Sequence, residues 1–327
     1  MIPVPSLEIR HEMAPLDEGL AGDVVGFLEH KGTPWIDDIH QRVQGNLMGA
    51  EDHYLVAFDR DLLAGHVWYC VAQSDPRLGI VGHVFIHPER RRRGIARALL
   101  ASALSEFRAR GGVIMQLFTS TPPSIPLYEQ LGFENLFGQS SYHDQDWYMR
   151  YPVGSDECVA QWLTATPVTC RELQPEDLPR YCLLYNVERD LTLKDRAQQI
   201  GFGLEAELAF INAWQAIRQG RAACSVLDNG PTIVGAASLV AMEFPHQSHV
   251  GLFDFYVSSK ASSYIPELVD HCLKTRHELG ISKVFAMTVD PAKRSAMERI
   301  GFTWRAHLPG HYRVGREEHD GDLLELM

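Results

Sequence analysis

Positive charge is scarce in this chain: 30 lysines and arginines stand against 42 aspartates and glutamates, a formal net charge of -12 at pH 7. That balance leaves no broad basic surface to displace counterions along a polyanion, so no nucleic-acid partner is expected. Cysteine is sparse and scattered. Cys70, Cys158, Cys170, Cys182, Cys224 and Cys272 form no CxxC pair, which argues against a disulfide framework and fits reduced thiols in a cytoplasmic protein. There is no HExxH, and the loose spacing of HLPGHYRVGREEH near the C-terminus suits no metal, so none is expected. No apolar run reaches membrane-spanning length. The opening MIPVPSLEIRHEM has no basic segment followed by an apolar one, so neither a membrane partner nor a secretory leader is expected. Two nucleotide-binding loops are missing as well: no GxGxxG turn and no loop ending in GK[ST].

What is present first is length. The chain has 327 residues with ordinary hydrophobic content, 45%, enough for two cores. It also repeats itself. HEMAPLD (11–17) resembles RELQPED (171–177), LVAFDRDLLAG (55–65) resembles CSVLDNGPTIVG (224–235), and YEQLGF (128–133) resembles MERIGF (297–302). Gly65 and Gly235 differ by 170, Gly132 and Gly301 by 169. A near-constant offset over three segments predicts two copies of one fold. The expected division is 1–152, a linker at 153–167 that carries Pro, Gly and Ser but little periodicity, and 168–327.

Within the first copy, LEIRHEM reads as a strand, and 16–32 and 36–48 as helices. HYLVAFD and LLAGHVWYCVAQ make a hairpin, GIVGHVFIHP is a strand stopped by Pro88, and the apolar period from Ile95 to Phe107 makes a helix. VIMQLFT, a short helix at 123–132, then FENLFG and DWYMRYP complete the copy, and the second copy follows the same order, with a helix at 265–278. Mixed strands and helices around one βα crossover indicate an α/β or α+β fold.

The most informative stretch is HPERRRRGIARALL (87–100), which concentrates arginine between a strand and a helix start. Amides there lack intrahelical partners and the helix dipole is positive, so a phosphate is well placed. Gly94 has no side chain to block its approach.

Arg91, Gly94 and Ala96, in the order Arg-x-x-Gly-x-Ala after a strand ending in IHP, followed downstream by LYEQLGF (127–133), resemble the acyl-CoA-binding motif of the GNAT (general N-acetyltransferase) superfamily. The resemblance covers residues 8–150 and extends more weakly over 168–327. It implies two tandem domains, each a mixed, mostly antiparallel twisted sheet with a splayed central parallel strand pair flanked by helices. It implies acetyl-CoA as acyl donor, with Phe85 and Ile86 amides on pantetheine, and Arg91, Arg92, Arg93, Gly94, Ile95 and Ala96 around the pyrophosphate. Thr121 stands where the family often has a cofactor-touching asparagine. Tyr128 matches the family's general acid, and His83 is the nearest candidate base. The implied reaction is direct attack by a primary amine of a small molecule on the thioester. A non-catalytic acyl-CoA sensor is the alternative, and the chain is expected as a monomer or homodimer.

The stretch 30–42 lies where the family builds its acceptor wall. Trp35 is expected as an apolar face there and Asp37 and Asp38 as ammonium partners. TPWIDD also reads as a helix start, with acids favourable in the first turn. In the second copy the offset of 169 aligns Arg91 with Lys260, Gly94 with Ser263, Ala96 with Ile265 and Tyr128 with Met297. That copy is expected to be degenerate.

Overall fold

The computed structural model describes residues 7–137, 147–164, 167–186, 191–192, 206–314 and 317–327. The chain divides into two units, Met1–Ser155 with Pro175–Pro179, and Asp156–Gln174 with Arg180–Met327.

The first unit opens with β1 (Leu7–Met13) and α1 (Glu18–Leu28). Asp17 starts that helix by accepting the Leu20 amide at 3.0 Å. A 3₁₀ turn, Glu29–Lys31, and Gly32 at φ 67° lead to α2 (Trp35–Val43). β2 (Ala50–Asp59), β3 (Leu62–Ala72) and β4 (Asp75–Ile86) form an antiparallel meander. After α3 (Ile95–Ala109) come β5 (Ile114–Thr119), α4 (Ile125–Gln130), β6 (Glu134–Phe137) and β7 (Trp147–Tyr151). The predicted period of α3 is its buried face: Leu99, Leu100, Ala103, Leu104 and Phe107 are buried where the helix packs on β2, β3 and β4.

The second unit repeats the plan with α5 (Asp156–Trp162), β8 (Thr169–Glu172), α6 (Leu178–Asn186), β9 (Leu191–Thr192) and α7 (Ala206–Arg218). β10 (Ala222–Asp228), β11 (Ile233–Ala241), β12 (Val250–Ser258), α8 (Ile265–Leu273), β13 (Lys283–Thr288), α9 (Pro291–Arg299), β14 (Thr303–Val314) and β15 (Glu317–Leu326) follow. The sheets have the same order, β1-β2-β3-β4-β5-β7-β6 and β8-β10-β11-β12-β13-β15-β14. Among the described residues, a single neighbouring pair in each sheet is parallel, β4 with β5 and β12 with β13. The two copies read in the sequence are therefore two copies of one topology.

Two expectations differ from the structure. The stretch 153–167 holds helix α5, whose Val159 and Trp162 are buried, so the units meet at Ser155/Asp156. Its Pro, Gly and Ser content masks a short apolar spacing of three. The helix expected over 265–278 stops at Leu273. Beyond it, bonds such as Arg276 N–H to Leu273 O at 3.1 Å tighten the chain into turns that end at Gly280, φ 71°.

Candidate functional site

The parallel pair β4/β5 is bonded for three steps only, Leu78 with Ile114, Gly79 with Met115 and Ile80 with Gln116. Beyond that rung the strands part, and the wedge between them opens toward the start of α3. A cleft of about 760 Å³ lies there, walled by Val84, Phe85 and Ile86 from β4, by the arginine loop and by Thr121, Ser124 and Leu127 near α4. That volume is typical of a cofactor site.

At its mouth, Gly94 sits at φ 80°, and a side chain added there would meet no protein atom within 4 Å. A β-carbon would instead fill the space in front of the helix. No side chain caps α3 at Gly94, so the first amides of a 15-residue helix face that space unsatisfied. Both features fit an anionic group held by backbone N–H. Arg92, Ile95 and Ala96 line the same space, Ile95 with nearly all of its side chain buried in the core, whereas Arg93 is exposed and not part of the lining. Arg91 donates from Nε to the Ile86 carbonyl at 3.1 Å and lies 5.6 Å over the Phe85 ring. Arg90 is committed to Asp59 at 2.7 Å.

The strand edge corrects one expectation. His87 N–H donates to Ala64 O on β3 at 3.0 Å. Successive amides of a strand point to opposite edges, so Ile86 N–H faces the wedge and Phe85 N–H faces β3. Phe85 meets the cleft with its ring, against Phe27 at 5.0 Å and His30 at 4.2 Å.

His83 occupies a bulge. Trp68 pairs with Gly82 and His66 with Phe85, so His83 and Val84 together oppose Val67. Simple alternation from Val81, which packs with the α3 core, would send His83 to the same face. The extra residue turns it instead toward α2, with Trp35 edge-on at 5.8 Å and Trp68 at 5.0 Å. The turn requires a left-handed backbone, φ 51°, and the His83 carbonyl accepts from His66 Nδ1 at 3.0 Å. Burial, then the charge of Lys31, hold the His83 imidazole well below its ordinary range, so it is neutral. Its Nε2 and that of His66 are buried without a hydrogen-bond partner among the described residues.

Tyr128 is 6% exposed and packs edge-on to Phe133 at 5.9 Å. Burial pushes its phenol up to about 12, with a hydrogen bond to Ser124 pulling the other way. The phenol stays protonated at neutral pH and reaches the cleft through Ser124, which the sequence reading missed. Ser124 donates to Thr121 O at 2.7 Å and lies 3.0 Å from Thr119 Oγ1. A serine one helical turn before the tyrosine was the available signal.

The acceptor-wall residues separate. Trp35 stands beside His83. Asp37 is exposed. Asp38 is 8% exposed and bound to Arg42 at 2.6 Å, and Arg42 also binds Asp52 at 2.8 Å, whose carboxylate accepts from Trp68 Nε1 at 2.8 Å. Asp38 therefore has an internal cation and is not the ammonium partner expected of it. Its spacing of four from Arg42 on one helix face was legible.

Residues 21–133 match the model of the acetyltransferase (GNAT) family. The first unit carries a GNAT acetyltransferase domain. A putative acetyltransferase from Salmonella typhimurium, solved with its cofactor acetyl-CoA, is 15% identical, covering 49% of this chain and 93% of its own, with a TM-score of 0.41. The ribosomal-protein-alanine N-acetyltransferase of Brucella melitensis is 18% identical over 49% of this chain and 99% of its own, TM-score 0.42. The spermidine N-acetyltransferase of Vibrio cholerae, in complex with CoA and spermine, is 14% identical over 49% and 94%, TM-score 0.37. No curated protein matches the chain at a significant level.

The second GNAT-like unit has lost these features, though not as the sequence alignment had it. Helix α8 starts at Ile265 as α3 starts at Ile95, so the local offset is 170. Ile265 is the counterpart of Ile95, not of Ala96. The differences are Tyr264 in place of Gly94, and Pro266, which has no N–H, in place of Ala96. Met297 does replace Tyr128: Phe302 N–H bonds to Met297 O as Phe133 N–H bonds to Tyr128 O, at 3.0 and 3.1 Å. β12 and β13 also part after three rungs, but there β9 pairs with β12 at Val257 and Ser258. Val257 already pairs with Gly235 of β11, so β9 lies on the opposite edge, inside the wedge. Lys293 of α9 reaches β12 as well, in a buried ion pair with Asp254.

Proposed function

We propose that the chain is an acetyl-CoA-dependent N-acyltransferase that uses the first unit to move an acetyl group from CoA to a primary amine of a small molecule. The carrying observation is the uncapped start of α3 behind Gly94, at the mouth of a strand pair that parts after Ile80/Gln116. When bound there, acetyl-CoA supplies the activated acyl group. Arg91, Arg92 and the first amides of α3 hold its pyrophosphate, and the Ile86 amide pairs with pantetheine as an added strand would. An amide on this edge polarises the thioester carbonyl. Trp35 and His83, which pack on each other beside the cleft and not in its lining, take the side from which the amine enters. The neutral His83 imidazole accepts the amine's proton, and the Tyr128 phenol, through Ser124, protonates the departing thiolate. The second unit binds no acyl-CoA.

A second reading, a non-catalytic acyl-CoA sensor, draws support from the same residues: His83 is a weak base, and Tyr128 stands behind the cleft wall rather than in it. CoA release from acetyl-CoA in the presence of primary amines separates the two. Turnover is expected, and Tyr128→Phe should lower kcat by about 10²–10⁴-fold, the usual range for general acid catalysis, with little change in acetyl-CoA KM. An unchanged kcat would make Tyr128 a packing residue, and acetyl-CoA binding without any turnover would favour the sensor.

A further inference from the structure

We infer that the acceptor is an amine carrying a nearby anionic group, a carboxylate or phosphate, which Lys31 receives where it lines the cleft beside Trp35. The inference rests on the acyltransferase reading above and adds the acceptor's chemical class.

The cleft is lined by six basic residues, His30, Lys31, Arg90, Arg91, Arg92 and Arg97, and among the described residues no aspartate or glutamate lines it. The arginines of the loop and of the start of α3 answer to the cofactor's phosphates, and three have further commitments, Arg90 to Asp59, Arg91 to the Ile86 carbonyl and Arg97 to Gln130. Lys31 belongs to a different place. It comes from the turn between α1 and α2, lies 5.8 Å over the Trp35 ring, and forms no ion pair among the described residues. Trp35 in turn stands edge-on to His83. Lys31 is also the leading charge felt by His83, so its field reaches that imidazole as well as the cleft it lines.

An amine is cationic in solution and meets that lysine as a like charge. The carboxylates that the sequence offered to neutralise it are not there to do so: Asp38 is bound to Arg42, and Asp37 is exposed and not part of the lining. A polyamine thus finds repulsion where it needs a partner. An amine with its own anion finds a charge-assisted hydrogen bond to Lys31, which leaves the nitrogen on the His83 side. The chain's net charge of -12 steers cations toward the molecule as a whole, but the cleft itself has the opposite sign.

The test compares matched acceptors with acetyl-CoA as donor: L-phenylalanine with 2-phenylethylamine, L-leucine with 3-methylbutylamine, and O-phosphoethanolamine with ethanolamine, with spermidine alongside. The ratio of kcat/KM, anionic member over its plain partner, should exceed one in at least one pair, and spermidine should be poor. The pairs distinguish carboxylate from phosphate. Lys31→Met should lower that ratio by about 10- to 100-fold, the worth of a charge-assisted bond, and Lys31→Glu should invert it. Lys31 is exposed, so both variants are expected to fold. A wild-type ratio at or below one in every pair, or a ratio that Lys31→Met leaves unchanged, overturns the inference and leaves the acyltransferase reading standing. Binding of acetyl-CoA with no amine of either kind turned over overturns both.

Discussion

His83 sits at the bulge of β4 with a left-handed backbone. A histidine at φ 51° carries a backbone cost of about 1–3 kcal/mol, and the bulge that imposes it turns the ring to face Trp35. Gly94 was legible because a helix start that must accept a phosphate favours a residue without a β-carbon. The facing of His83 was legible from one side only: alternation back from Ile86 groups His83 with Phe85, away from the α3 core, as found, whereas alternation forward from Val81 is broken by the bulge. The buried histidines have a measurable signature. Burial holds His66 down to about 4 and His53 down to about 3, and keeps His83 well below its ordinary value. In the unfolded chain each binds a proton near 6.5. Below that pH the unfolded state binds more protons than the folded one, so stability is full above about pH 6.5 and falls as pH drops toward 4. Each such group contributes up to about 1.4 kcal/mol per pH unit. Urea unfolding should give a lower midpoint at pH 5 than at pH 7, and His66→Phe should make that dependence shallower. A midpoint unchanged between the two pH values would contradict the assignment of these imidazoles as neutral.

At the scale of elements, most of the first copy was readable because each strand and helix has a clear period and a clear stop, such as Pro88 after β4 and Gly111 after α3. What no period reveals is how far two strands stay together. The wedge exists because β4 and β5 pair for three rungs and no more, and nothing in VFIHP or QLFT says so. The same holds for β9, two residues whose place in the second wedge depends on a partner strand far along the chain. One contact fixes the cradle to the sheet. A β-carbon at Gly65 of β3 would lie 2.7 Å from Ile86 Cδ1, 2.9 Å from Ile95 Cγ2 and 3.0 Å from Leu99 Cδ1, so β4, the helix start and α3 all close on that glycine. Gly65→Ala should destabilise the protein by about 1–3 kcal/mol through overpacking. It should also weaken acetyl-CoA binding, because Ile95 opens α3. Thermal unfolding and a binding titration read the two effects, and an unchanged Tm with unchanged affinity would show that the packing is looser than these distances require.

Across the whole chain, duplication was the feature the sequence displayed best, since repeated YEQLGF and MERIGF segments need no structure to be seen. The difference between the copies at the helix start was visible in outline, but it was aligned one residue off: Tyr264 and Pro266 stand where the first copy has Gly94 and Ala96, and β9 pairs with β12 on the wedge side. The central claim is that one site per chain binds the acyl donor and that it lies at Gly94. Isothermal titration of the full chain with acetyl-CoA tests it most directly, beside Gly94→Val with its fold checked by circular dichroism. The account predicts a stoichiometry of one, and no binding in Gly94→Val because the strained φ and the added methyls close the phosphate space. Two sites per chain, or a single site that survives Gly94→Val, would contradict it.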